Sequence, residues 1–531
     1  MYKKVCIVFS CFFLFLHLAY AHGNSQIGKI KFPTSGSKVA QPYFEKGVAW
    51  LHSFEYREAR AYFKQARNID RDFALAYWGE AMTYNHPLWG EQELGAANKI
   101  LKALAPTAAD RVRKAKTPKE KGLIHAINLL YGKGEKKTRD ENYAEAMCQL
   151  YRRYPADDEI ASFYALALLG VTEGKRDFRT YMQAAGIAEE IYGRNPLHPG
   201  AMHYVIHSYD DPIHAPLGLR AARSYAKIAP DASHALHMPS HIFLALGLWD
   251  DVIVSNKAAW EAGVKQNKFS NPNDYTIDDL HALEWLSYGY LQKEQYPMAY
   301  QATKTMEKIA EGSGTPMAKW YYALMRAAYI IESGDYKADL KSLDMTNIEL
   351  SATAADLYTN ALIALASKKG KAGIEAANAE LEKLTQSIPE HNPRQDTYEN
   401  YFTSITQSGL IAAKIMVLEL QSIIKMREDK ITEAKKLLRR AAALENGVSF
   451  GYGPPIPVKP SYELLAALYL KTGEYNAAYR EAMVGLKRMP NRIQAKELVN
   501  MAADKLKAAK LPIPEKIRPY FNKLLVPDFY Q

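Results

Sequence analysis

Cysteine is scarce in this chain, with three residues among 531. Cys6 and Cys11 fall inside the first apolar run, which leaves Cys148 on its own. No intrachain disulfide can then close in the remainder, even in an oxidising compartment. Stability has to come from packed apolar surface, and the chain is long enough to bury it. Beyond the first run, no apolar stretch reaches the ~20 residues that a bilayer-crossing helix needs. A His-Glu-x-x-His motif is missing, and with it the metalloprotease signature. Zinc-finger spacing and RNA-binding sheet motifs are missing too, so nucleic acid is not an expected partner. The formal charge of +10 is modest for this length and fits solubility with mild attraction to anions. Short basic pieces such as Lys368-Lys369-Gly370-Lys371 and Arg439-Arg440 read as solvated helix faces and ends.

The first residues have the layout of a secretory leader. Lys3 and Lys4 are followed by an almost wholly apolar stretch from Cys6 to Leu18, then by Ala19-Tyr20-Ala21, a small-x-small cleavage pattern. The run is too short and wrongly flanked for a membrane span. Cleavage after Ala21 is expected, with export to a periplasm or the outside and a mature chain beginning at His22. A new amino terminus at His22 could chelate copper, but the polar residues Gly23 to Gln26 favour an unordered tail.

An internal period organises the rest. Tyr77 and Ala81 stand 34 residues after Tyr43 and Gly47. Small and aromatic residues recur in the same phase at Leu236, Ser240, Phe243, Gly247 and Trp249, then at Leu283, Ser287, Tyr290, Tyr296 and Ala299. Further copies lie at Ala323, Ala327, Gly334 and Tyr336, and from Tyr462 to Pro490. Small residues let antiparallel helices approach closely, aromatics fill the gap between hairpins, and a terminal proline stops the second helix. This pattern resembles the tetratricopeptide-repeat family over most of the chain. The resemblance implies an all-α, helix-turn-helix solenoid wound as a right-handed superhelix with inserted loops. It also implies a concave groove lined by the first helix of each hairpin, and a protein or peptide partner. Three segments are expected: the leader 1–21, a first solenoid 22–310 and further repeats 311–531. Interruptions fall at Asn85-His86-Pro87-Leu88-Trp89, Asn267 to Asp279, Glu311 to Pro316, Ser387 to Asn392 and Asn446 to Pro460. The last, with aromatic and apolar residues among its prolines, reads as a loop folded over the solenoid.

Seven of the 14 histidines lie between His198 and His241. His203 and His207 are spaced i, i+4, and His234, His237 and His241 are spaced i, i+3, i+7, so each set shares one helical face. Adding one 34-residue period to His203 and His207 gives His237 and His241. The two pairs occupy equivalent places on consecutive hairpins, whose helices pack roughly 8–10 Å apart, so four imidazoles can converge on one ion. His203, His207, His237 and His241 are therefore candidate ligands for zinc, iron or copper. His234 and His281 are candidates for additional ligands, and Asp210, Asp211, His214 and Glu284 for further ligands or for partners that fix a ring tautomer. Pro239 should break its helix and re-aim His241. A histidine at a repeat interface can also serve only as a hydrogen-bonding group.

Around these residues, His198 to Tyr204, Ser208 to Pro212, His234 to Phe243 and Gly247-Leu248-Trp249 are similar to a subgroup of secreted bacterial repeat proteins, a resemblance that implies no particular activity. Trp78 to Met82 and His86 to Trp89 share the pattern, with their rings expected to pack between hairpins. Three functional readings follow. The first is an exported scaffold whose histidine-lined groove binds a transition metal or a metal-held ligand. The second is a metal-dependent hydrolase or oxidoreductase on the same residues, and the third is a metal-free peptide-binding module.

Overall fold

A computed structural model describes residues 25–172, 176–270, 275–389, 401–448 and 453–512. The leader and His22 lie outside the described residues, as do parts of the interruptions near 390 and 450. Helices dominate. The first hairpin is α1 (Gln41–His52) and α2 (Tyr56–Ile69), followed by α3 (Ala74–Met82). Two short strands, β1 (Asn85–His86) and β2 (Glu91–Gln92), then pair antiparallel with Asn85 opposite Gln92. The chain continues through α4 (Leu94–Leu104), α5 (Ala108–Lys114), α6 (Pro118–Leu130), α7 (Lys136–Arg153), α8 (Asp158–Gly170) and α9 (Phe178–Arg194). The histidine-bearing stretch comprises α10 (Pro199–Ser208), α11 (Ala215–Ile228), α12 (Ser233–His237), α13 (Pro239–Leu246), α14 (Trp249–Ser270) and α15 (Ile277–Gln292). Beyond it lie α16 (Tyr296–Ser313), α17 (Pro316–Ser333), α18 (Leu350–Ser367), α19 (Lys371–Ser387), α20 (Gln407–Arg427), α21 (Ile431–Asn446), α22 (Ser461–Lys471), α23 (Tyr475–Arg488) and α24 (Ile493–Ala508). No helix among the described residues is long and apolar enough to cross a membrane.

The repeat logic is visible in single contacts. The Phe63 ring of α2 lies between α1 and α3, so close that a β-carbon on Gly47 would meet it at 2.8 Å and one on Gly79 at 2.3 Å. Glycine is required there by the aromatic that spaces the hairpins, not by backbone conformation. One apolar core runs continuously from Ile27 to Val458, and a smaller one joins α21 to α24.

Two closures turn the stack of hairpins back on itself. Near the start, the ring nitrogen Nδ1 of His203 on α10 donates to the backbone carbonyl of His52 at the end of α1, 151 residues away, at 2.6 Å. Towards the end, Arg492 is fully buried and reaches the carboxylates of Glu332 and Glu463 and the hydroxyl of Tyr288. Burial alone would raise the Glu463 carboxyl, but the Arg492 guanidinium and Lys459 hold it well below the usual carboxylate range. The proline-rich segment behaves as the sequence suggests for its described part, 453–458. Its Gly453 (φ +101°) presses on the ring of Trp285, and Val458 joins the main core.

Candidate metal centre

Pro239 does divide its helix. α12 ends at His237 and α13 begins at Pro239, with Met238 between them and the amide of His241 bonding back only to Met238. The break leaves the two rings facing each other, His237 Nε2 to His241 Nε2 at 3.1 Å. One hairpin earlier, His203 Nε2 lies 3.0 Å from His207 Nε2 and 3.2 Å from His234 Nε2. His281, at the start of α15, brings a ring nitrogen within 4.8 Å of those of His237 and His241. The six histidines thus form two trios, His203/His207/His234 and His237/His241/His281. They adjoin, with the rings of His207 and His241 5.5 Å apart and those of His234 and His237 6.1 Å apart.

The far side of each ring decides what the near side offers. A neutral imidazole has one N–H and one lone pair, and which nitrogen carries the proton is set by its partner. His203 Nδ1 faces the His52 carbonyl, and His234 Nδ1 faces Asp278 Oδ1 at 3.1 Å. His237 Nδ1 faces Asn256 Oδ1 at 2.6 Å, and His241 Nδ1 faces Asp210 Oδ2 at 2.6 Å. The Asn256 amide cannot turn round, because its Nδ2 donates to the Val252 carbonyl at 2.8 Å. All four partners are acceptors, so all four Nδ1 atoms carry the proton, and in a neutral ring the Nε2 atom then presents a bare lone pair. Within each trio, lone pair meets lone pair. Two nitrogens bound at 2.0–2.1 Å to one tetrahedral ion lie about 3.3 Å apart, close to the separations seen here.

A shared proton is the competing explanation, since it would turn one ring of each pair into an imidazolium. Burial opposes it at four of the rings, while His234 and His241 each face a carboxylate, Asp278 and Asp210. Burial pushes His203, His207 and His237 well below the usual histidine range, with neighbouring histidines adding to the effect, and His281 falls to about 3. All six rings are at least nine-tenths buried. The Nε2 atom of His281 has no hydrogen-bond partner among the described residues.

Against the sequence reading, the geometry changes two things. His203, His207, His237 and His241 do not surround one point; the structure divides them and completes each pair with a third ring, from His234 and His281. Nor do they line an open groove. The Phe54 ring packs on His203, His234 and His207 with centroids at 4.3, 5.4 and 6.0 Å. The Trp285 ring packs on His241, His281 and His237 at 4.6, 4.9 and 5.0 Å. Phe54 holds its place with φ +57°, a left-handed conformation that costs a bulky residue about 1–3 kcal/mol and persists only where packing enforces it. Asp210 bonds the outer nitrogen of His241 and does not join either group of converging Nε2 atoms. Glu284 Oε2 stands 3.9 Å from His281 Nδ1, and burial raises its carboxyl to about 8. Asp211 and His214 pair with each other at 2.8 Å. Trp89 meets His281 edge-on at 5.7 Å, so it packs against the centre as well as between hairpins.

Sequence reasoning missed Asn256, Asp278, Phe54 and the His52 carbonyl, none of which lies in the histidine runs. It also missed a third group, His52, Glu159 and His198, which is fully buried. Here every atom is matched. His198 Nδ1 accepts from the Ala201 amide at 3.1 Å, so its Nε2–H donates to Glu159 at 3.2 Å. His52 Nε2 meets the other Glu159 oxygen at 2.8 Å, and its Nδ1 meets the Tyr204 hydroxyl, also at 2.8 Å. Burial would raise Glu159, yet His198 and His52 draw it down to about 2. A donor faces each acceptor, and this group is a hydrogen-bonded strut under α10.

No family model matches the chain, and no curated protein does. Solved structures match at low identity. The TPR domain of P58(IPK) aligns at 13% identity over 89% of this chain and 99% of its own, with a TM-score of 0.22. The APC/C hetero-tetramer Cut9-Hcn1 aligns at 12% over 93% of this chain and 81% of that one, with a TM-score of 0.32. Yeast Tom70 aligns at 12% over 89% and 96%, also at 0.32. The first of these is described as a TPR domain. The all-helical repeat architecture of this chain stands on its own helices.

The chemistry open to the twin trios follows from their donors. Imidazole suits zinc, copper, iron and nickel, whereas magnesium, calcium and manganese favour oxygen. The nearest carboxylates, Asp210 and Asp278, are bonded to the outer ring nitrogens and not turned inward.

Proposed function

We propose that this chain is an exported helical-repeat scaffold that holds two transition-metal ions side by side. His203, His207 and His234 would take one ion, and His237, His241 and His281 the other. The observation that carries this reading is the locking of four Nδ1–H groups onto acceptors, so that Nε2 atoms converge at 3.1–3.2 Å in each trio. Because the rings are buried, a peptide partner would use the outer faces of the hairpins and not the histidines. The leader pattern supports delivery out of the cytosol.

Metal analysis of the purified full chain, metal-stripped and then reloaded, tests the reading. Two ions per chain are expected, with one lost in His203→Ala and one in His237→Ala while circular dichroism keeps its helical signal. A protein that takes up no zinc, copper, iron or nickel, or whose uptake survives both substitutions together, would end it.

A further inference from the structure

We infer that the proline-rich segment 453–458 is a latch on the Trp285 ring, so that the His237/His241/His281 trio exchanges its ion with solvent while the other trio stays shut. This rests on the twin-metal reading above. All six histidines are at least nine-tenths buried, so an ion reaches either trio only when a cover moves. The two covers are fastened differently. Phe54, over the first trio, sits in the turn between α1 and α2, where main-chain hydrogen bonds hold it from both sides. Its amide donates to the Leu51 carbonyl at 3.0 Å, and the Tyr56 amide donates to its carbonyl at 2.9 Å. Moving that ring means unwinding the first hairpin, which the bond from His203 to the His52 carbonyl also ties down.

Trp285, over the second trio, has no such fastening on its ring. The indole Nε1–H is buried without a hydrogen-bond partner among the described residues. An unpaired buried donor costs free energy that water returns once the ring swings out. The strap stands in the way of that swing. A β-carbon on Gly453 would come within 2.8 Å of Trp285 Nε1, Cε2 and Cζ2, so the main chain lies directly on the indole. The strap itself is lightly attached. Pro454, Pro455 and Pro457 have no N–H to give, and among the described residues no main-chain hydrogen bond joins 453–458 to the helices beneath. Pro454, Pro455 and Ile456 share with Glu284 and Ser287 of α15 a cavity with about 10 Å³ open to the centre of a water-sized molecule, so they are not close-packed on it. The far end is the anchor, with Val458 in the main core and Lys459 Nζ 2.9 Å from Glu463 Oε2 at the start of α22. A segment held by so few contacts opens locally, well before the fold does. Lifting it frees the indole, and the indole uncovers three imidazoles at once.

The test uses the full chain loaded with zinc, with release followed by an excess of a coloured chelator. Two phases are expected, a fast one absent in His237→Ala and a slow one absent in His203→Ala. Gly453→Val sets a branched side chain against the indole at a φ of +101°, so the closed latch is strained and the open one is not. It should speed the fast phase at least about 5-fold and leave the slow one unchanged. Pro455→Gly loosens the strap without a clash and should speed the same phase about 2- to 5-fold. This second variant decides the matter if Gly453→Val loses its helical circular dichroism. A single phase would overturn the inference, as would equal acceleration of both phases, or folded variants that release zinc at the parent rates. In those cases two bound ions leave the twin-metal reading standing and only the latch falls. A chain that takes up no zinc is loaded with copper or nickel and read in the same way, and one that binds none of these ends both.

Discussion

Replacing Glu284 by Gln isolates the effect of one buried carboxyl beside His281. Burial alone raises this group from 4.5 to about 8, and the residue is 8% exposed. A carboxyl raised on folding contributes stability that is complete below 4.5 and is lost as pH climbs through 8, because the folded state must then hold or expel a charge that the unfolded state carries freely. Between pH 6 and pH 9 a shift of this size costs the metal-free protein about 3 kcal/mol. Gln has nearly the same shape and no charge, so Glu284→Gln escapes that loss. The gap in stability between variant and parent should widen by about 2–3 kcal/mol in favour of Gln across this range. Urea denaturation of the chelator-treated proteins, followed by circular dichroism at pH 6, 7.5 and 9, measures it. Parallel pH profiles for parent and variant would show that Glu284 ionises inside the fold at ordinary pH, and the account of this pocket as dry would be wrong.

Other expectations follow from single contacts. Asn256→Leu keeps the volume but frees the His237 ring to change tautomer, and metal affinity measured by chelator competition should fall about 10- to 100-fold. Arg492→Met leaves Glu332 and Glu463 buried without their cation, which should cost about 3–5 kcal/mol and expose the α22–α24 region to limited proteolysis. Gly79→Ala drives a methyl group into the Phe63 ring and should lower stability by about 1–3 kcal/mol in thermal melts. An unchanged melting temperature would mean that the hairpins are not spaced by that ring.

How much of this was legible in sequence depends on the range of the interaction. The repeat could be read because the 34-residue offset from Tyr43 and Gly47 to Tyr77 and Ala81 is local. The helix break at Pro239 could be read for the same reason. The histidine pairs were visible by period, yet their division into two trios was not. That division depends on His234 turning towards His203 and on His281 arriving after an insertion. Burial was invisible as well. Phe54 covers one trio only because α1 folds against α10, a contact across some 150 residues that carries no local signature. The matched network of His52, Glu159 and His198 uses the same residue types as the metal centre. Only proton bookkeeping on the folded chain separates a strut from a ligand set.

The hydrogen bond from His203 back to His52 also sets an order of events. Its partners come from the first hairpin and from α10, and the last ring, His281, follows 78 residues after His203. A chain still being made cannot assemble the centre, since its early portion has nothing to offer an ion but scattered imidazoles. On the proposed metal-binding reading, metal acquisition would become a readout of completed folding. A misfolded or truncated copy would be marked by its failure to load.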